Sequence, residues 1–177
     1  MASIILIGYR GTGKSTVANL VGAKLDWPVF GMDATLVKRA GKTIKEMVDQ
    51  HGWPYFRDRE QELSKELAAG DCRVIDCGGG VVEREANVAA LRSSGTVFWL
   101  RAAPATIVAR ISGNDERPSL TGAQSFTDEV VQVLARRTPL YAAMAHVQLD
   151  VDTRGPVDIA RQIVELFPSS SMDALRG

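Results

Sequence analysis

The stretch Gly8-Tyr-Arg-Gly-Thr-Gly-Lys14-Ser15-Thr16 constrains this chain more than any other part of it. It fits G-x-x-x-x-G-K-[ST], and its neighbours fit too. The apolar run Ser3–Ile7 reads as a buried strand entering the loop, and Thr16–Leu25 reads as an amphipathic helix leaving it. Strand, loop and helix together turn a pattern match into a phosphate-binding site. Gly8, Gly11 and Gly13 let the backbone curl until successive N–H groups face an anion, and the following helix adds the positive end of its dipole. In such a loop Lys14 meets the β- and γ-phosphates and the Ser15 hydroxyl meets Mg²⁺.

Strand-like and helix-like segments alternate along the rest of the chain. Strands are expected at 3–7, 28–32, 73–77, 96–100 and 147–151. Helices are expected at 14–25, 34–50 with a break near Gly41, 55–69, 84–93, 104–112, 127–145 and 156–167. This alternation predicts a three-layer α/β fold, a five-stranded parallel sheet with helices on both faces. Asp33 or Thr35 is placed to cap a helix, and Pro104 and Pro156 to open two others. The polar segment Gly113–Phe126 breaks the rhythm and reads as a mobile lid, and the Ser-rich stretch 168–177 as a frayed tail. The reading is therefore one domain over 1–167.

Composition narrows the partners. Lys plus Arg and Asp plus Glu number 21 each, so there is no electrostatic footprint for nucleic acid. The apolar runs are too short to span a bilayer, and the first residues lack the features of a signal peptide. Cys72 and Cys77 suit a reducing cytosol and lack the companions of a zinc site. These features point to a cytoplasmic protein without a membrane or nucleic-acid partner. His51 and His146 read as structural.

Four further constellations fall where such a fold exposes residues. Asp33, past the second strand, is able to orient or deprotonate an acceptor hydroxyl. Phe56-Arg57-Asp58-Arg59-Glu60 sets a guanidinium within reach of a carboxylate three residues on. Taken alone, that spacing favours a surface ion pair on a solvated helix. Gly78-Gly79-Gly80 follows a strand and allows close approach to its backbone, and Asp76 just before it stands where a carboxylate reaches Mg²⁺ or its waters. Arg117-Pro118 lies in the excursion, where closure would bring a cation to a transferring phosphoryl group. Arg136 and Arg137 offer more cation for an acidic acceptor, or form a basic pair at a helix C-terminus.

Together these motifs resemble shikimate kinase, of the nucleoside-monophosphate-kinase-like P-loop group, over residues 3–167 or so. Asp33 matches the second Asp of the family's D-x-D, Arg57 and Glu60 its F-R-x-x-E, and Gly78–Gly80 its triple glycine. Arg117-Pro118-Ser119-Leu120 resembles its R-P-x-L lid, and Arg137-Thr-Pro-Leu-Tyr141 its R-x-x-L-Y. The resemblance implies ATP-dependent phosphorylation of the shikimate 3-hydroxyl by a monomer that uses Mg²⁺. It implies Asp33, Lys14 and Arg117 as catalytic residues, and Asp33, Arg57, Gly79 and Arg137 as shikimate-binding residues. Gly11, Thr12, Gly13, Lys14, Ser15, Thr16 and Arg117 would contact ATP, with Arg110, Arg154 and Pro156 flanking the adenine.

Two departures stand out. The first Asp of D-x-D is Gly31 here, and Cys77 stands where the family often has Thr or Ser. Asp76 is a candidate to replace the missing carboxylate, which makes Ser15 and Asp76 the expected metal-facing pair. The residues alone leave open a gluconate kinase, a nucleotide kinase, or a binding module that has lost catalysis.

Overall fold

The computed structural model describes residues 2–111 and 125–167. β1 (Ser3–Ile7) is buried at every position. Strand side chains alternate between faces, so Ile5 and Ile7 enter one core and Ile4 and Leu6 the other. A strand that is apolar on both faces belongs inside a parallel sheet. β1 is indeed central. β3 (Val74–Asp76) and β4 (Gly95–Arg101) flank it, and β2 (Val29–Gly31) and β5 (Val147–Asp150) form the edges, in the order β2-β3-β1-β4-β5. Every pairing is parallel.

Helices cover both faces, completing the three-layer α/β architecture. α1 (Lys14–Leu25) and α7 (Pro156–Leu166) pack Val17, Val21, Ile159 and Ile163 on the Ile4 and Leu6 side. α2 (Met32–Ala40), α3 (Ile44–Ala68), α4 (Glu85–Ser94) and the end of α6 (Phe126–Met144) pack Met32, Leu63, Leu91 and Met144 on the other. α5 (Pro104–Ile111) and α6 enclose a smaller core of Tyr9, Ile107, Val130 and Val133. Strand order reverses beside β1, and ligands of open α/β sheets bind in the crevice at such a point, beyond the strand C-termini.

Some local expectations hold and others change. The break expected near Gly41 is present, because Gly41 adopts a left-handed conformation (φ 62°) that ends α2. α3 starts from a capping box. Thr43 Oγ1 accepts from the Glu46 N–H at 3.1 Å, and the Thr43 N–H donates to Glu46 Oε2 at 2.7 Å. The range of α3 joins two helical segments at Gly52, whose φ of 79° and ψ of 167° are not helical, so the break expected between residues 50 and 55 is present, just ahead of Pro54. Neither Asp33 nor Thr35 caps a helix. α2 begins at Met32 with Gly31 in the cap position, and the Thr35 hydroxyl donates back to the Gly31 carbonyl at 2.8 Å. Arg136 and Arg137 lie within α6, which runs on to Met144, and are not a C-terminal pair. Arg117, most of the segment 113–126 and all of 168–177 lie outside the described residues.

Candidate active site

The glycine-rich loop leaves β1 and turns into α1. Gly11 and Gly13 have φ of 80° and 84°, which glycine adopts without strain. Gly13 meets no atom within 4 Å of a built Cβ, so its backbone angle is what requires glycine. The loop carbonyl of Tyr9 is heavily used. Lys14 Nζ donates to it at 3.0 Å and Thr12 Oγ1 at 2.8 Å. Those two bonds fix the curl of the loop and hold the Lys14 side chain, buried, over it.

Two depressions share this loop. The first is a cleft of about 200 Å³ in which Gly11, Gly13 and Thr16 face Arg110, Arg154 and Pro156. The fold thus brings the three expected adenine-flanking residues to one place from α5, the loop after β5 and the first residue of α7. Arg110 Nη1 donates to the Gly11 carbonyl at 3.2 Å, tying α5 to the phosphate loop. The second is a cavity of about 640 Å³ lined by Lys14, Ser15, Gly31, Asp33, Asp76 and other loop residues. In it Ser15 Oγ donates to Asp76 Oδ2 at 2.5 Å. A hydroxyl and a carboxylate held together beside a phosphate loop are hard oxygen donors of the kind Mg²⁺ takes alongside substrate phosphates and water. Among the described residues no cluster of three or more His, Cys, Asp or Glu side chains stands ready to hold a metal unaided.

A third cavity adjoins the second. Arg57, Glu60, Gly79 and Arg137 line it with Tyr9, Trp53 and Glu129. Asp33 and Arg10 line both this cavity and the phosphate cavity. Here the surface-pair expectation for Arg57 and Glu60 fails. The two side chains are 12% and 1% exposed and lie 2.7 Å apart, forming a buried ion pair. Trp53 and Phe56 place their rings 5.2 and 5.5 Å from the guanidinium carbon. Burial pushes the Glu60 carboxyl above its usual range, against the pull of Arg57.

The triple glycine has a packing reason. A Cβ at Gly78 would lie 2.7 Å from Asp33 Oδ1 and 2.9 Å from Glu60 Oε1, and one at Gly80 would lie 2.2 Å from Arg57 Nη2. Only bare backbone lets these charged groups close over the end of β3. Gly79 is pinned by Tyr141, whose hydroxyl donates to its carbonyl at 2.5 Å. Burial raises the Tyr141 phenol well above its usual value, which keeps it a donor. Burial also pushes the Cys77 thiol up, so that it packs as a small apolar group.

Four lining or bracing residues had no role in the sequence reading. Arg10 occupies a variable position of the loop motif, Tyr141 stood in a matched motif without a task, and Glu83 and Glu129 carried no pattern. Arg137 Nη2 is buried and has no hydrogen-bond partner among the described residues. A buried guanidinium edge lacking an acceptor is a ready site for an anion.

Fold, loop and adjoining cavities define a P-loop protein of the nucleoside-monophosphate-kinase-like group. The family model for shikimate kinase matches residues 10–168. A shikimate kinase of Rhodopirellula baltica is 40% identical over 171 residues, covering 94% of this chain and 91% of that protein. The solved shikimate kinase of Acinetobacter baumannii in complex with shikimate superposes with a TM-score of 0.89 at 26% identity, covering 94% and 92% of the two chains. A gluconokinase from Sinorhizobium meliloti shares the fold at a TM-score of 0.55 and 17% identity, covering 98% and 93%. The chain belongs to the shikimate kinase family.

Proposed function

We propose that this protein transfers the γ-phosphoryl group of ATP to the 3-hydroxyl of shikimate, giving shikimate 3-phosphate and ADP. The observation that carries the reading is the position of Asp33, on the wall shared by the phosphate cavity and the arginine-lined cavity. A group that orients an acceptor hydroxyl toward a γ-phosphate has to stand between the two.

Each residue then has a task. Gly11, Thr12, Gly13 and Thr16 offer backbone and side-chain donors to the phosphates, with Arg110, Arg154 and Pro156 beside the base. Ser15 and Asp76 would hold Mg²⁺, whose charge offsets that on the β- and γ-oxygens. Arg57 and Arg137 would clamp the acceptor carboxylate, against the Gly79 backbone. Asp33 takes the hydroxyl proton as the acceptor oxygen bonds to γ-phosphorus, while the bond from that phosphorus to the β,γ-bridging oxygen breaks and ADP leaves. Lys14, with Arg117 from the segment outside the described residues, would neutralise the phosphoryl group in transit. A loose transition state needs little more than such positioning and charge.

The test is ADP release with ATP and Mg²⁺, with shikimate, gluconate and nucleoside monophosphates as separate acceptors. Turnover with shikimate alone supports the reading. Turnover only with gluconate or a nucleotide overturns the acceptor assignment. A folded protein that binds ATP and turns over nothing would be a binding module, the outcome that Gly31 raises.

A further inference from the structure

Glu83 stands behind the arginines that line the acceptor cavity, without a task in the transfer chemistry, yet three arginines converge on it. Its Oε1 accepts from Arg137 Nε at 2.9 Å and from Arg136 Nη2 at 2.5 Å, and its Oε2 lies 3.4 Å from Arg57 Nη2. Arg57 belongs to α3 and the other two to α6, so one carboxylate bridges both sides of the cavity. The bridge is itself anchored. The Glu83 N–H donates to the Gly80 carbonyl at 3.0 Å, Val81 and Val82 are buried, and buried Asn87 donates from Nδ2 to the Val81 carbonyl at 3.1 Å.

The pattern of donors used matters. A guanidinium has a fixed plane with five N–H groups. Glu83 takes the Nε of Arg137 while Nη2 keeps no partner among the described residues, and Glu60 takes Nη1 of Arg57. Two guanidiniums facing one cavity repel each other unless an anion lies between them. Glu83 supplies that anion from behind. Within these ion pairs Arg57, Arg136 and Arg137 meet the carboxylates of Glu60 and Glu83. Burial works to raise the Glu83 carboxyl, but Arg137, Arg57 and Arg136 together outweigh it and hold it below the usual range.

We propose that Glu83 is a positioning residue that sets the spacing and orientation of Arg57 and Arg137, and through them the preference of the acceptor site for a carboxylate. The proposal rests on the acceptor reading above and deepens it.

The test compares the intact wild-type chain with Glu83→Gln and Glu83→Asp. It measures KM for shikimate, KM for ATP, and the preference for shikimate over its carboxamide. Glu83→Gln keeps shape and an acceptor oxygen but removes the charge. It is expected to raise KM for shikimate roughly tenfold, to leave KM for ATP within about twofold, and to cut the acid-over-amide preference by a similar factor. Glu83→Asp restores charge at shorter reach and should recover part of each loss. An unchanged or lowered KM for shikimate, or equal rises in both KM values, overturns the proposal. A purely structural bridge would not move the acid-over-amide ratio. If circular dichroism shows Glu83→Gln unfolded, Glu83→Asp carries the test: a raised shikimate KM beside an unchanged ATP KM supports it, and wild-type values for both overturn it. A wild-type chain inactive with shikimate sinks the acceptor reading and this proposal with it, whereas an active wild type with an unaltered Glu83→Gln sinks the Glu83 assignment alone.

Discussion

Gly31 and Asp76 are direct partners across the β2–β3 ladder. The position where the D-x-D pattern would place a carboxylate and the position where this chain has one are thus neighbours on adjacent parallel strands, both at the C-terminal edge and both lining the phosphate cavity. Asp76 is the one bonded to Ser15, at 2.5 Å. Asp76 thus presents a carboxylate to the Ser15 hydroxyl from the strand next to the position that the pattern would fill.

The arrangement is testable by exchange. Asp76→Asn should weaken Mg²⁺ binding in the nucleotide complex by about 10- to 100-fold, the usual consequence of losing a residue that supports a metal. Gly31→Asp in the same background should restore much of it. The position has room: its backbone is extended (φ −82°, ψ 113°), and among the described residues a Cβ would meet only the Ala34 Cβ, at 3.7 Å. The readouts are Mn²⁺ binding followed by electron paramagnetic resonance and the Mg²⁺ dependence of turnover. Wild-type metal affinity in Asp76→Asn would remove Asp76 from the site.

Gly80 makes a prediction that a flexible-turn reading does not. Gly80→Ala drives a methyl group to 2.2 Å from Arg57 Nη2, and Arg57 is held by Glu60, Glu83 and the Trp53 ring. The guanidinium must move. KM for shikimate should rise roughly tenfold while that for ATP stays put. If Gly80→Ala shows wild-type kinetics with both substrates, the glycine serves only the turn.

What the sequence made legible follows from which forces are local. The phosphate loop, the end of α2 at Gly41 and the opening of α7 at Pro156 depend on neighbouring backbone, and they read correctly. The burial of β1 was legible from its unbroken apolar run, while the order of the strands was not, because it depends on crossovers that no local pattern records. The exposure of the Arg57–Glu60 pair was misread, because spacing says that two residues meet on a helix but not what packs over them. The burial there comes from Gly78–Gly80, some twenty residues on, and from α6. Glu83 was invisible for the same reason. A lone acid after Val81-Val82 has no periodic signature, and its partners lie 26 to 54 positions away. Asp33 reads as a cap by proximity to a helix start, but α2 starts two residues earlier, at Met32, with Gly31 in the cap position.

The two arginines should divide the kinetic parameters. Arg57→Ala or Arg137→Ala removes one side of the expected carboxylate clamp, and in a closed site such a truncation costs on the order of 2–5 kcal/mol. KM for shikimate should rise by far more than KM for ATP. Arg137→Ala also strips a partner from Glu83, so its effect and that of Glu83→Gln should fall short of additive in the double variant. Equal rises in both KM values would place the arginines outside the acceptor site.

Lys14→Ala should abolish turnover, since it removes a cation that the proposed reaction sets against the transferred group. Its Nζ also holds the Tyr9 carbonyl at 3.0 Å, so the loop itself loses a tie. Thr12 still donates to that carbonyl at 2.8 Å, and the fold should survive. Circular dichroism and a thermal unfolding curve near wild type, beside lost ADP formation, are the expected pair of results. Retained turnover would show that this loop does not bind the transferred phosphate.

One pH effect lies away from the site. His146 Nδ1 accepts from the Val97 N–H at 2.9 Å, and the His146 N–H donates to the Val97 carbonyl at 2.9 Å, closing the sheet where β5 begins. A ring nitrogen that accepts from backbone must be unprotonated. Burial, and then the Arg92 guanidinium, hold the imidazole below its ordinary value of 6.5. The unfolded chain therefore binds the proton more readily, and stability must rise with pH across the window between the folded value and 6.5. The contribution is whole above pH 6.5 and is lost as pH falls through it. His146→Gln keeps an acceptor for Val97 without a proton to gain. Unfolding midpoints measured from pH 5 to 8 should fall more steeply on the acid side in wild type than in His146→Gln, a difference that identical slopes would rule out.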